Sequence, residues 1–517
     1  MGNGLRIGID VGGTNTDAVL MEGTSVLASC KAPTSANVGD GIVSAIRGVL
    51  DTSGTAPGDI RAVMLGTTQF TNAFVERREL LEVGVLRLAL PATRGLPPMV
   101  DWPRDLVAAV GRHHYLVAGG NQFDGRAIAA LDEAAIAAAA RDMAARKLQA
   151  VAISGVFSPV SAAMEERAAD IVRDALPDAA ITLSSRIGRL GLLERENAAI
   201  MNASLARLAA RVVASFRSAL ADLRIDAPFY LSQNDGTLMS AEYAERYPVL
   251  TFACGPTNSM RGAAFLSGVE NALVADIGGT TTDFGMLVNG FPRESAVTVD
   301  IGGVRTNFRM PDVLAVGLGG GSCVRFGPGL AIGPDSVGYE LTRAALIFGG
   351  EVTTATDIAV AAGYLDLGDS ERARLLPPSA VQAAVDEMHR LLEEGVDRMK
   401  TSGEPVPLVL VGGGSVLVQR EIAGTSEVIV PPHAGVANAV GASIAQAAGE
   451  VDRLWSYDAV GREAALAEAK TIARDDAVAA GARPESTAVV DLEELPLSYM
   501  PGNQVRIRVK VVGELEL

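Results

Sequence analysis

Asp10-Val11-Gly12-Gly13-Thr14-Asn15-Thr16-Asp17 and Asp276-Ile277-Gly278-Gly279-Thr280-Thr281-Thr282-Asp283 are two versions of one octapeptide, identical at six of eight positions. Each follows a short apolar stretch (Leu5 to Ile9, Ala272 to Ala275) and precedes another (Ala18 to Met21, Phe284 to Val288). That context reads as strand, tight glycine turn, strand. A glycine turn lets backbone N–H groups approach a phosphate where a side chain would block them. The acid closing the first strand is suited to Mg²⁺, which prefers carboxylate, water and phosphate oxygens. One such turn is also compatible with an ordinary hairpin. Two, each opening a half-chain, point to a pair that grips a nucleoside triphosphate from both sides.

Composition narrows the alternatives. A chain of 517 residues exceeds one core and suggests two or three domains. Apolar residues make up 48% and aromatics only 4%, a balance that fits Ala-rich helices packed on Val/Ile strands. No uninterrupted apolar run reaches the ~18 residues that span a bilayer, so no membrane partner is expected. The N-terminus leads almost directly into the first strand, leaving no room for a signal peptide. Cys30, Cys254 and Cys323 are odd in number and lack CxxC spacing, as expected of reduced thiols in a cytoplasmic protein. A net charge of −17 argues against nucleic acid as a partner.

Between the turns the pattern alternates. Helical character over Leu131 to Leu148 is followed by a strand at Ala150 to Val156. Leu192 to Leu223 reads as one long amphipathic helix bridging the halves, and Pro228 to Ser232 and Val249 to Ala253 read as strands. Pro407 to Val411 is a buried-type strand that runs into Gly412, Gly413, Gly414 and Ser415, bare backbone on which an adenine or its ribose can lie. Pro432 to Gly441 reads as a small-residue helix suited to close interdomain packing. Gln504 to Val512 alternates as an edge strand does. The fold class is α/β with mixed sheets flanked by helices. The expected segments are 1–195 with the first turn, 196–448 with the second turn and the adenosine motif, and a small C-terminal region, 449–517.

These four motifs, in this order, resemble the actin/hexokinase class of ATPases, which implies duplicated actin-like (ribonuclease H-like) domains. More specifically, the chain resembles the A-subunit family of ATP-dependent hydantoinases and 5-oxoprolinases. The matches are Gly66-Thr67-Thr68 with Thr71-Asn72-Ala73 and Glu76-Arg77, Gly255-Pro256, Gly319-Gly320-Gly321-Ser322, Gly333-Pro334-Asp335-Ser336 and Thr356-Asp357. The resemblance implies ATP and Mg²⁺ as cofactors, a small cyclic amide as substrate, and a second subunit as partner. In that chemistry ATP phosphorylates the amide oxygen and water then opens the ring. Asp10 is the carboxylate expected to hold Mg²⁺ through water. Asp276 is its counterpart, a second metal-water contact or the group that orients the attacking oxygen. Gly12, Gly13, Thr14, Gly278, Gly279 and Thr280 are expected to cradle phosphates. Asp17 and Asp283 read equally as functional acids or as turn-stabilising Asx residues.

Thr67, Thr68 and Asn72 follow a strand, where a helix begins. Threonine there is most often a cap, but in the family this segment lies near the cleft, which makes the three candidates for substrate contact. Longer family members carry His where this chain has Leu65 and Leu314, although Asp312 remains. Leucine cannot ligate, and with four histidines in all no transition-metal site is expected. A small-molecule kinase, a related ATP-dependent carboxylase subunit and a nucleotide-driven activator are the alternatives.

Overall fold

The structure is a computed structural model and describes residues 4–12, 15–33, 38–295, 299–307, 310–327, 329–498 and 500–515. Strands β1 (Leu5–Val11), β2 (Asn15–Glu22) and β3 (Ser25–Pro33) form an antiparallel meander. Helix α1 (Val38–Ser53) returns the chain to β4 (Ile60–Thr67), which lies parallel to β1, and α2 (Gln69–Val75) follows. A separate parallel sheet is inserted next, with β5 (Val83–Leu90), β6 (His113–Ala118), β7 (Ala150–Gly155) and β8 (Ala180–Leu183) in the order β6-β5-β7-β8. Helices α3 (Glu133–Ala145) and α4 (Ala163–Ala175) cover one face of it. Helices α5 (Leu192–Ser204) and α6 (Ala206–Asp222) lead back to β9 (Phe229–Ser232) and β10 (Leu238–Ser240).

Helix α7 (Cys254–Ser267) crosses to the second half. There β11 (Leu273–Ile277) and β12 (Thr282–Val288) repeat the hairpin, and β13 (Phe291–Pro292) extends it. The hairpin β14 (Val299–Ile301) and β15 (Val304–Thr306) precedes β16 (Val313–Val316), and β17 (Ser322–Arg325) pairs with β18 (Ala331–Ser336). Helix α8 (Pro378–Met399), β19 (Val406–Val411), β20 (Thr425–Ile429) and α9 (Ala437–Ile444) complete the half. The chain then rejoins the first sheet through β21 (Ala447–Ser456), α10 (Arg462–Ala479), β22 (Ala488–Pro496) and β23 (Gln504–Gly513).

Two sheets of the same plan result. The first runs β3-β2-β1-β4-β9, and the second runs β16-β12-β11-β19-β20 with each pairing in the same direction. This is the duplicated actin-like arrangement. Alternation along the strands sorts residues between layers. In β4, Val63 and Leu65 enter a core with Ile7, Ile9, Ile46 and Phe70, while Ala62 and Met64 pack with the alanines of α10. In the second half Ala275 and Ile277 face Val385 and Leu392 of α8, and Val274 and Val411 face Met260 of α7.

Helices α7 and α9 lie between the halves and cross on glycine. A Cβ on Gly262 would stand 1.9 Å from the Ala437 carbonyl oxygen, and one on Gly441 would stand 1.8 Å from that of Asn258. The β14–β15 hairpin is a second link, since Ile301 and Val304 from the second half are buried in the core of the first.

Four local expectations change. The Leu192 to Leu223 helix breaks into α5 and α6 with a 51° bend. At the break the Ser204 carbonyl accepts from Leu81 N–H (2.8 Å), which takes it out of the helical ladder, and the Ser204 hydroxyl donates to the Met201 carbonyl (2.7 Å). Val249 to Ala253 is not a strand. Pro248–Thr251 is a 3₁₀ turn, and Ala253 adopts a left-handed φ of 59° where it caps α7. Gln504 to Val512 lies inside the first sheet between β21 and β22, so β22 is the edge. The first sheet therefore draws strands from all three segments expected from sequence. The small-residue helix starts later than expected, at Ala437, after a 3₁₀ turn over Ala434–Val436 that His433 caps. No single described helix is long and apolar enough to cross a membrane.

Candidate active site

Hairpin register brings the paired acids together. Asp10 lies opposite Asp17 across β1–β2, and Asp276 lies opposite Asp283 across β11–β12. In each turn the first glycine N–H closes the loop, Gly12 onto Asn15 O at 3.0 Å and Gly278 onto Thr281 O at 2.9 Å. Gly13 and Thr14 lie outside the described residues. In the second turn Gly279 is half-buried and Thr280 is exposed.

The Gly317 to Ser322 segment buttresses this second turn. Gly320 and Gly321 donate to the carbonyls of Gly278 (3.0 Å) and Gly279 (2.7 Å), and Thr282 Oγ1 donates to Leu318 O at 2.6 Å. Its amides are spent on this packing, which makes the segment a close-packed turn and not an anion nest. Thr356 holds the same segment through Gly320 O at 2.8 Å, and Asp357 caps its own helix.

Helices α7 and α9 join the two turns. Asn438 on α9 donates to Asp10 Oδ2 and to Asp17 Oδ2, each at 3.0 Å. On α7, Ser259 donates to Asp276 Oδ2. Its neighbour Asn258 lies beside Asp10, since a Cβ on Gly66 would meet Asp10 Oδ1 at 2.4 Å and Asn258 Nδ2 at 2.5 Å. Lys31 pairs with the other oxygen of Asp17. Asp17 thus spends its carboxylate on side chains of other elements and not on an Asx turn.

Burial, then the charge of Asp17, pushes the Asp10 carboxyl up to about 7, opposed by the amides of Asn258 and Asn438. Burial, then Asp276, raises Asp283 to about 7. Asp276 is also raised, chiefly by burial and opposed first by the Ser259 hydroxyl. Such an acid cluster suits a hard divalent cation, whose charge would offset the cost of ionising buried carboxylates. Among the described residues no three or more His, Cys, Asp or Glu side chains form a metal-binding group.

The two halves end their fourth strands differently. Register sets Gly66 beside Asp10 and Val411 beside Asp276, so Thr67 and Thr68 stand where the second half has Gly412 and Gly413. Gly412 has a φ of 84°, and a Cβ there would lie 2.3 Å from Asp276 Oδ1. Gly414 donates to Ile277 O at 2.7 Å, whereas Gly413 faces open space and is exposed. Ser415 opens a 3₁₀ turn. This loop therefore offers bare backbone beside the second turn.

On the other side Thr67 ends β4 and is buried, with its carbonyl accepting from Cys254 Sγ at 3.4 Å. Thr68 precedes α2 without capping it. Its hydroxyl reaches Val11 O at 3.5 Å and accepts from Asn72 Nδ2 at 3.4 Å. Asn72 itself is exposed. Leu65 lies in the core of the first half, Leu314 is half-buried against the core of the second, and Asp312 is paired with Arg293. Asn197 and Asn202 are pins, holding Trp102 and Thr182 respectively.

Residues 6–176 match the hydantoinase/oxoprolinase N-terminal region, and residues 195–370 match the hydantoinase/oxoprolinase domain. The chain belongs to the hydantoinase/oxoprolinase family. It is 29% identical over 420 residues to the caprolactamase alpha subunit of Pseudomonas jessenii, which covers 75% of this chain and 58% of that one. It is 25% identical over 402 residues to the acetophenone carboxylase gamma subunit of Aromatoleum aromaticum, covering 70% of this chain and 53% of the relative. This family member thus spans little more than half the length of these two relatives, both of which are subunits. The crystal structure of the ATP-dependent caprolactamase of Pseudomonas jessenii superposes with a TM-score of 0.77 at 21% identity, over 99% of this chain and 88% of that one, and so shares its fold.

Lys31, Asn258, Ser259 and Asn438 were not singled out from sequence. Asn438 carries a faint signal, a carboxamide within an otherwise small and apolar helix. The other three gain meaning only from contacts between distant segments.

Proposed function

We propose that this protein hydrolyses a small cyclic amide (a hydantoin, 5-oxoproline or related lactam) at the expense of ATP, as one subunit of a larger assembly. The observation that carries this reading is the pair of like turns whose acids, Asp10 and Asp276, are hydrogen-bonded from the two interdomain helices, Asp10 by Asn438 of α9 and Asp276 by Ser259 of α7. Adenosine would rest on Gly412 to Ser415, and phosphates between Gly12 to Thr14 and Gly278 to Thr280. The hydroxyl of Thr68, in the place where the other half is bare glycine, would face the acceptor with Asn72 hydrogen-bonded to it, while Thr67 lies buried beneath with its hydroxyl accepting from Gln69 N–H at 3.3 Å.

The chemistry is balanced as follows. The amide oxygen attacks the γ-phosphorus and ADP leaves. Water adds to the activated carbon, the ring C–N bond breaks, and the nitrogen departs with a proton. A second water hydrolyses the resulting acyl phosphate to carboxylate and phosphate. Transfer of the phosphoryl group asks mainly for positioning and charge neutralisation, which two preorganised turns supply.

Likeness to a carboxylase subunit supports a second reading, in which an enol oxygen accepts the phosphoryl group in the same cleft. The two are separated by measuring ADP release from the natively co-purified assembly. Addition of a lactam or hydantoin should stimulate ADP formation in step with ring-opened product. Stimulation only by an enolisable ketone with bicarbonate would replace the amide reading, and substrate-independent turnover would favour an activator.

A further inference from the structure

Lys31 is one of five lysines in a chain with 39 arginines. It lies on β3 directly across from Asp17, and its ammonium pairs with Asp17 Oδ1. Its side chain remains 40% exposed over a partner that is 7% exposed, so the ammonium has solvent-side freedom that the carboxylate lacks. Its charge also reaches the second half, where it opposes the upward push on Asp276.

The plain alternative is a cross-strand ion pair that stabilises the sheet, worth about 0.2–1 kcal/mol. The duplication provides an internal comparison. Asp283 occupies in β12 the position that Asp17 occupies in β2, yet the residue opposite it on β16 is Ala315. Sheet geometry thus does not require a cation opposite the second acid of the motif. The lysine is an asymmetric addition to one turn.

We propose that Lys31 is the protein's own cation for the nucleotide, its ammonium moving from Asp17 to the polyphosphate oxygens of a nucleoside triphosphate held between the turns. This rests on the ATP reading above. A lysine suits the move, being a compact charge on a flexible stem with three rotatable donors, where a guanidinium would be fixed in a planar fork. After it leaves, Asp17 still accepts from Asn438, so the first turn stays anchored.

The test is binding of a non-hydrolysable Mg·ATP analogue and of adenosine, by calorimetry, to the intact wild-type protein and to K31M, K31Q and K31R, with thermal melts to establish that each is folded. K31M and K31Q should weaken the triphosphate about tenfold or more, leave adenosine unchanged, and be partly rescued in K31R. Unchanged triphosphate affinity in a folded K31M or K31Q would overturn the role of Lys31 alone. Equal losses for triphosphate and adenosine would also overturn it, by showing a distorted cleft. Wild-type protein that binds no nucleotide would remove the ATP reading itself, and this proposal with it.

Discussion

Asp10→Asn is expected to lower kcat for ATP turnover by about a thousandfold or more while the protein stays folded. Asp10 is buried at 5% exposure and hydrogen-bonded by Asn438, and in the function proposed above it holds, with Asp276, the metal that neutralises the phosphates. Asparagine preserves shape and removes the charge. The same substitution should raise the stability of the nucleotide-free protein at neutral pH. Asp10 titrates near 7 in the folded state, well above its usual range, so its favourable contribution is present at low pH and is lost as pH rises through about 4 to 7. The variant escapes that loss, and its advantage over wild type should grow across this window by an amount on the order of 1 kcal/mol or more. Some pH dependence remains through Asp283. Steady-state ADP release with thermal melts at pH 5 and pH 8 checks both halves of the expectation. Full Mg²⁺-dependent ATPase activity in a folded Asp10→Asn protein would contradict the role given to this residue.

Gly441→Val should destabilise the protein by about 3 kcal/mol or more and abolish activity in whatever fraction remains folded. Even the first added carbon would fall 1.8 Å from the Asn258 carbonyl oxygen, so α7 and α9 must move apart. Those helices carry Ser259 and Asn438, which hold Asp276 and the pair Asp10 and Asp17, and separation therefore disturbs both turns at once. Gly435→Ala is the control, since a Cβ there meets nothing within 4 Å and should change stability by less than about 0.5 kcal/mol. Urea titration of both variants measures the difference, and a Gly441→Val protein as stable as wild type would mean that the helix crossing is looser than its geometry implies.

The turns were legible because their signal is local. Glycines at fixed spacing between two apolar strands, closed by an acid, specify a hairpin with bare amides at its tip, and the repetition specified two halves. The strand Val406–Val411 running into the glycine loop Gly412 to Ser415 was legible for the same reason. The break after Ser204 was not, because it depends on Leu81 taking the Ser204 carbonyl from far away in the chain. Nor was the return of β21 to β23 to the first sheet, which is a matter of which edge remains open. Lys31 looks like any alternating strand residue until register sets it against Asp17 and the duplication sets Ala315 in the matching place. Thr67 and Thr68 were noted, but their standing as the counterparts of Gly412 and Gly413 needed the pairing of β4 with β1 and of β19 with β11.

The central claim is that the two octapeptides are halves of one nucleotide cleft. A crystal structure of the protein with Mg²⁺ and a non-hydrolysable ATP analogue tests it most directly. The phosphates should lie between Gly12 to Thr14 and Gly278 to Thr280, with the metal beside Asp10 and Asp276 and the adenosine on Gly412 to Ser415. An analogue bound elsewhere, or held by one turn alone, would contradict it.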